Sequence, residues 1–198
     1  METRVAQFEK VSREQFYKDM VESFGVQYGL PEDGFLDEIY ERIKLPQRAT
    51  MGSAGYDIFT PVHIILEPGK TIKIPTGVRC RIEPGWFLGV LPRSGHGFKY
   101  GVRLSNTFGI IDGDYFSSDN EGHIFVKLIN DSCICKTVDI PAWQGMAQGI
   151  FLPFGVTVDD ECNTVRNCYI LFRVKIFWEH IVKFLIYAVY IRSVIYKF

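Results

Sequence analysis

Glycine and proline are missing from the last quarter of this 198-residue chain: all 18 glycines and all 9 prolines lie at or before Gly155. At average usage (roughly 7% and 5%) the 43 residues that follow should hold about five, so the end of the chain obeys different rules from the rest. Charge of one sign is lacking as well. The 22 basic and 23 acidic side chains leave a net −1, which excludes a dedicated nucleic-acid binder dependent on a basic surplus. No long apolar run occurs. In the aromatic tail the longest uncharged stretch is Phe184–Ile191, far short of the ~20 residues of a membrane span. The five cysteines (Cys80, Cys133, Cys135, Cys162, Cys168) are odd in number and scattered, with neither zinc-site nor redox spacing. They read as reduced thiols of a cytoplasmic protein. The opening Met1–Arg4 has no apolar stretch, so no secretory signal is expected.

What is present is a chain 47% hydrophobic and 23% charged, which excludes disorder and suits one domain with additions. Residues 1–44 read as a strand over Arg4–Val11 and two helices. Ser12 and Gln15 have the form of a reciprocal capping box, Phe16, Met20 and Phe24 follow at helical spacing, and Gly25 is a stop. A second short helix is expected from Gly34 to Ile43, and both read as a surface embellishment. In residues 45–161, Pro61, Pro68, Pro75, Pro84 and Pro92 recur every seven to nine residues between short β-rich runs. That rhythm predicts an all-β sandwich or jelly roll, and it leaves no space for the crossover helices of a parallel sheet. Gly69-Lys70-Thr71 mimics the end of a P-loop, but Ile64 stands where the first glycine is needed, so a β-turn explains it.

Four polar, glycine-bearing motifs interrupt the β region, with chemistry complementary to a nucleoside triphosphate. Ser53-Ala-Gly-Tyr-Asp-Ile58 offers the Asp57 carboxylate beside a turn, and Leu91-Pro-Arg-Ser-Gly95 offers a guanidinium, a hydroxyl and open amides for phosphate. Asn106–Tyr115 places an amide, two acids and an aromatic ring on what reads as one hairpin, and Gln144–Gln148 adds another amide at a strand start. Each has a plainer alternative. Asp57 and Asp112 could be turn-forming acids, Arg93 a surface ion pair, and Tyr115 a cross-strand packing ring.

In this order and spacing, Ala54-Gly-Tyr-Asp-Ile58, Pro92-Arg-Ser-Gly95, Gly109-Ile-Ile-Asp-Gly-Asp-Tyr115 and Gly145-Met-Ala-Gln148 resemble the first four of five motifs of the trimeric dUTP nucleotidohydrolase (dUTPase) family, over about residues 45–161. The resemblance implies a mainly β, jelly-roll (β-clip) domain with short N-terminal helices, assembled as a homotrimer with sites shared between subunits. It implies hydrolysis of dUTP to dUMP and pyrophosphate. Asp112 would be the general base that activates water, and the apolar Gly109-Ile110-Ile111 leading to it would raise its basicity. Tyr115 would pack on deoxyribose and exclude a 2′-hydroxyl. Asn106, with the backbone of Gly109, Ile110 and Ile111, would read uracil. Arg93, Ser94, Gly95 and Gln148 would meet the phosphates, and Asp57 would hold Mg²⁺ through water. Asp114 reads as a solvated acid.

Two departures accompany the resemblance. The segment Phe116–Gly122 reads as an insertion that lengthens the hairpin. The fifth motif, an arginine followed by a glycine-rich run with a phenylalanine that closes over the nucleotide, starts at Arg166 but has no glycine after it. Residues 1–167 carry −5 and residues 168–198 carry +4, with nine aromatics in the latter. Residues 162–198 are therefore read as an atypical tail, with translation out of frame after Asn167 preferred over a membrane-surface amphipathic helix or a tail packed on the trimer, and activity is expected to be real but reduced. The other two frames after codon 167 should then encode a glycine-rich segment. Two alternatives remain at this stage: a non-catalytic dUTP-binding module, and a dCTP deaminase of the same fold, whose water-activating glutamate Glu121 matches poorly because it lies in a polar insert.

Overall fold

The computed structural model describes residues 3–28, 34–132, 136–162 and 164. The expected tail, with Arg166 and the proposed frame change, lies outside these apart from Cys162 and Thr164. The elements run β1 (Ala6–Lys10), α1 (Arg13–Tyr28), α2 (Phe35–Glu41), β2 (Gln47–Arg48), β3 (Tyr56–Phe59), β4 (Ile64–Leu66), β5 (Thr71–Pro75) and β6 (Val78–Ile82). There follow β7 (Trp86–Pro92), α3 (Ser94–Tyr100), β8 (Val102–Leu104), β9 (Gly109–Ile111), a 3-10 turn (Gly113–Ser117), β10 (Phe125–Asn130), β11 (Val138–Ile140) and β12 (Gly145–Pro153). The mainly β expectation holds. Alternation of burial turns Ile64 and Leu66 of β4, Val126 and Leu128 of β10 and Val138 and Ile140 of β11 inward, with Ile65, Lys127 and Asp139 facing solvent between them.

All pairings are antiparallel, in sheets of order β2-β3-β12-β7-β9, β5-β10-β8, β1-β6 and β4-β11. The expected hairpin at Asn106–Tyr115 is not one. β8 pairs with β10 and β9 with β7, so the turn at Asn106–Phe108, with Thr107 at φ 64°, carries the chain from one sheet to another. α3 was not anticipated. It begins directly after Pro92 ends β7, and Gly101 closes it in the left-handed conformation, φ 64°.

The N-terminal helices are part of the core and no mere embellishment. Phe16, Met20 and Phe24 recur on one face of α1, and all three are buried in the same cluster as Ile74, Leu88, Leu128 and Met146. Ile39 and Ile43 join them from α2 and the residues after it. The capping box is only half as expected. Ser12 Oγ accepts from the Gln15 N–H (3.1 Å), but the buried Gln15 side chain turns inward to donate to Asp19 (2.8 Å). Its reciprocal role passes to Glu121, which accepts from the Ser12 N–H (2.8 Å) and Oγ (2.7 Å).

Asp19 belongs to a buried polar chain. The Gly77 N–H can only donate, so His123 Nε2 is its acceptor (2.7 Å) and the ring proton sits on Nδ1, facing Asp19 Oδ2 at 2.5 Å. Burial by itself would raise the Asp19 pKa, but the hydrogen bonds from His123 and Gln15 outweigh it and hold the carboxyl below its ordinary value. A depressed carboxyl contributes stability above its unfolded pKa of about 3.9 and loses it as pH falls through the folded value. Asp19→Asn is therefore expected to lower stability at pH 7 by about 1.5–3 kcal/mol. It should also flatten the acid limb of stability below about pH 4, measured by urea unfolding across pH.

In β6, burial and then the charge of Glu9 push the Cys80 thiol up to about 12, and both Cys80 and Cys162 are free. Among the described residues no helix is long and apolar enough to cross a membrane.

Candidate active site

The longest strand, β12, organises one half of the site. Its register places Gln148 opposite Asp57 of β3 on one side and Leu91 of β7 on the other. Arg93, in extended conformation at the head of α3, folds back across the start of β12: its Nη1 donates to the Gly145 carbonyl (3.4 Å) and its Nε lies 3.1 Å from Asp57 Oδ1. A Cβ at Gly145 would lie 3.0 Å from Arg93 Nη1 and 3.2 Å from its Cδ, so a side chain there would push the guanidinium aside by a few tenths of an ångström. Gln148 Nε2 donates to the Pro92 carbonyl (3.3 Å), and Ser94 and Gly95 stand exposed beside it. Asp57, Arg93, Ser94, Gly95 and Gln148, distant in sequence, thus gather at one sheet end. The surface ion pair considered for Arg93 exists, with Asp57 as partner, and the arginine remains half-exposed and accessible to an anion.

The second half lies along β9. A cavity of about 250 Å³ is lined by Asn106, Gly109, Ile110 and Ile111 together with Val90, Leu104, Ser105 and residues of β10. Asp112 follows at once, exposed, at the N-cap position of the 3-10 turn but without a side-chain cap hydrogen bond. Tyr115 is half-buried in that turn, its hydroxyl donating to the His123 carbonyl (3.0 Å). Among the described residues the apolar surround expected for Asp112 is not there, since Ile110 is 59% exposed and Asp112 itself faces solvent. A larger apolar cavity of about 350 Å³, between α1, α2 and Trp143, contains none of these residues.

The two halves stand far apart. Ile111 pairs with Leu88, which sets Asp112 beside Phe87, whereas Arg93 follows the other end of β7. Six residues of strand at about 3.3 Å each separate them by roughly 20 Å.

Two polar groups escaped the sequence reading. Ser105 Oγ, buried against the smaller cavity, and His96 Nδ1, in the first turn of α3, have no hydrogen-bond partner. Burial, then the neighbouring Arg93 charge, lower the His96 pKa. Position was the only available signal: Ser105 precedes Asn106, and His96 follows Gly95. Glu121, the acid of the deaminase alternative, is engaged by Ser12 as a helix clasp.

A resident metal must suit these donors. Among the described residues no group of three or more His, Cys, Asp or Glu side chains is arranged to hold one. The single hard carboxylate of Asp57, paired with Arg93, suits Mg²⁺, which keeps its waters and binds through one or two carboxylates and substrate phosphates.

Comparison with known proteins gives the family. The family model described as dUTPase matches residues 41–169. The deoxyuridine 5'-triphosphate nucleotidohydrolase of Lactococcus lactis is 38% identical over 120 residues, covering 60% of this chain and 79% of that protein. That of Ectopseudomonas mendocina is 41% identical over 112 residues, covering 52% and 74%. The crystal structure of dUTPase from Streptococcus mutans superposes with a TM-score of 0.52 at 37% identity, over 59% of this chain and 89% of that one. A dUTPase from phage phi11 of S. aureus, described with a structural Mg(II) ion, shares the fold at 19% identity, with a TM-score of 0.53 over 81% of this chain and 98% of its own. The family model spans well over half of the residues, and with it the two strand ends just described: the chain belongs to the dUTPase family.

Proposed function

We propose that the protein hydrolyses dUTP to dUMP and pyrophosphate in the cytoplasm, at sites formed between subunits of a homotrimer. The observation that carries this is the division of the site residues between the two ends of β7. Asp112 and Tyr115 of one subunit and Asp57, Arg93, Ser94 and Gln148 of a neighbour then complete one pocket. A second subunit over Ile110 would also supply the apolar surround that Asp112 lacks alone.

In that pocket Asn106 and the β9 backbone hold uracil, since fixed donors and acceptors reject a wrong base edge by leaving buried groups unpaired. Tyr115 packs on the deoxyribose where a 2′-hydroxyl would sit. Asp112 takes a proton from water as its oxygen attacks the α-phosphorus in line. The bond from that phosphorus to the bridging oxygen breaks, its electron pair leaves with pyrophosphate, and Arg93, Ser94, Gln148 and the Gly95 amide meet the growing charge. Mg²⁺, when bound near Asp57, would neutralise phosphate charge. The tail offers no glycine-rich segment to cover the nucleotide, so water is less well excluded and turnover falls by about 10²-fold relative to a closed site.

Pyrophosphate release from dUTP tests this reading. Release with Mg²⁺ and its loss with excess EDTA are expected. A flat trace with retained dUTP binding would leave a binding module, and ammonia release from dCTP would leave the deaminase.

A further inference from the structure

The segment Phe116–Gly122 has a task that its reading as a lengthened hairpin does not suggest. It wraps back on Tyr115. Asn120 Nδ2 donates to the Tyr115 hydroxyl oxygen (2.8 Å) and to the His123 carbonyl (3.3 Å), the same carbonyl that receives the tyrosine's own proton (3.0 Å). The other end of the amide fits equally well: Asn120 Oδ1 accepts from the Gly122 N–H (3.2 Å) and lies 2.6 Å from Ser118 Oγ. The network therefore fixes which end of the amide is nitrogen.

Each member of this loop is held from outside. Glu121 takes a left-handed φ of 58°, uncommon for a residue with a side chain, and its carboxylate is gripped by Ser12 at the start of α1. A Cβ at Gly122 would meet Phe116 Cα at 2.7 Å and the Tyr115 carbonyl oxygen at 2.8 Å, so only glycine closes the loop so tightly. The guanidiniums of Arg79 and Arg81 each lie 4.3 Å from the centre of the Phe116 ring. His123, whose carbonyl receives both donors, is fully buried and tethered to Gly77 and Asp19.

We propose that Asn120 is a positioning residue that holds the Tyr115 ring in the orientation that distinguishes a deoxyribose from a ribose triphosphate. Steric rejection of a 2′-hydroxyl needs a wall that does not yield, and a ring pinned at its hydroxyl cannot pivot to admit the extra atom. This inference rests on the reading of Tyr115 as the sugar-packing residue.

Asn120→Asp is the incisive variant, because it keeps the oxygen that accepts from Gly122 and Ser118 while removing the donor to Tyr115. Tyr115→Phe removes the other partner and leaves the ring. Steady-state kinetics with dUTP and UTP should show the ratio of the two kcat/KM values falling about tenfold in N120D, the worth of one hydrogen bond, with kcat for dUTP nearly unchanged. Y115F should give a similar loss, and N120D should add nothing to it. The positioning role is overturned if N120D keeps the wild-type ratio, or lowers it by the same factor in the Y115F background. Tyr115→Ala separates the two ideas. If it leaves the ratio unchanged, the sugar reading itself fails. If it collapses the ratio while N120D does not, only the role of Asn120 is lost.

Discussion

Replacing Asp112 by asparagine is expected to cut dUTP hydrolysis by about 10³-fold, within the range that a positioned general base contributes. The amide has nearly the same shape, and the hydrogen bond from residue 112 to the 3-10 turn at Gly113–Ser117 is made by its backbone carbonyl, which accepts from the Tyr115 N–H (3.2 Å), so the turn and the cavity beside it should stay intact. It has no basic lone pair at neutral pH, and the attacking water keeps its proton. Binding of dUTP, followed by calorimetry, should change little. Asp114→Asn, two residues further in the same turn, should retain activity within a few-fold and so controls for a general loss of negative charge. Undiminished hydrolysis by the Asp112 variant would remove the central chemical assignment.

Mixing two dead variants is expected to produce a live enzyme. Asp112→Asn and Arg93→Gln each damage one half of every site, at opposite ends of β7. If each pocket draws these residues from different subunits, refolding the two variants together places an intact Asp112 beside an intact Arg93 in some pockets. Random assortment at equal amounts gives about one pocket in four, hence about a quarter of wild-type activity from two nearly inactive preparations. Pockets built within one chain would show no rescue. The effect is large, and it tests the shared site without needing a structure of the assembly.

Much of the site was legible because its residue types are dictated by the chemistry and stay close in sequence. A guanidinium, a hydroxyl and a glycine at Arg93–Gly95, or the acid and ring at Asp112 and Tyr115, carry their meaning in a handful of positions. Which end of a strand each occupies was not legible, since it depends on pairings such as Leu88 with Ile111 and Gln148 with Asp57 that link distant segments. Strands as short as β8 and β9, three residues each, are too brief for alternation to declare itself. α3 was hidden by its two glycines, Gly95 and Gly97, which weaken any helical pattern. For α1 the apolar spacing was plain, but not that Phe16 and Met20 would meet the strands. Nor was it visible that Glu121, more than a hundred residues away, would take the place of Gln15 at its cap.

The distance between the two ends of β7 has a consequence for how much of this protein a cell must hold. With pockets shared between subunits as proposed, an isolated polypeptide would carry the catalytic groups yet bring no one pocket's worth of them to the same nucleotide. Output would then rise more steeply than expression at low abundance, and the protein would fall silent when dilute, with scarcity itself acting as an off switch.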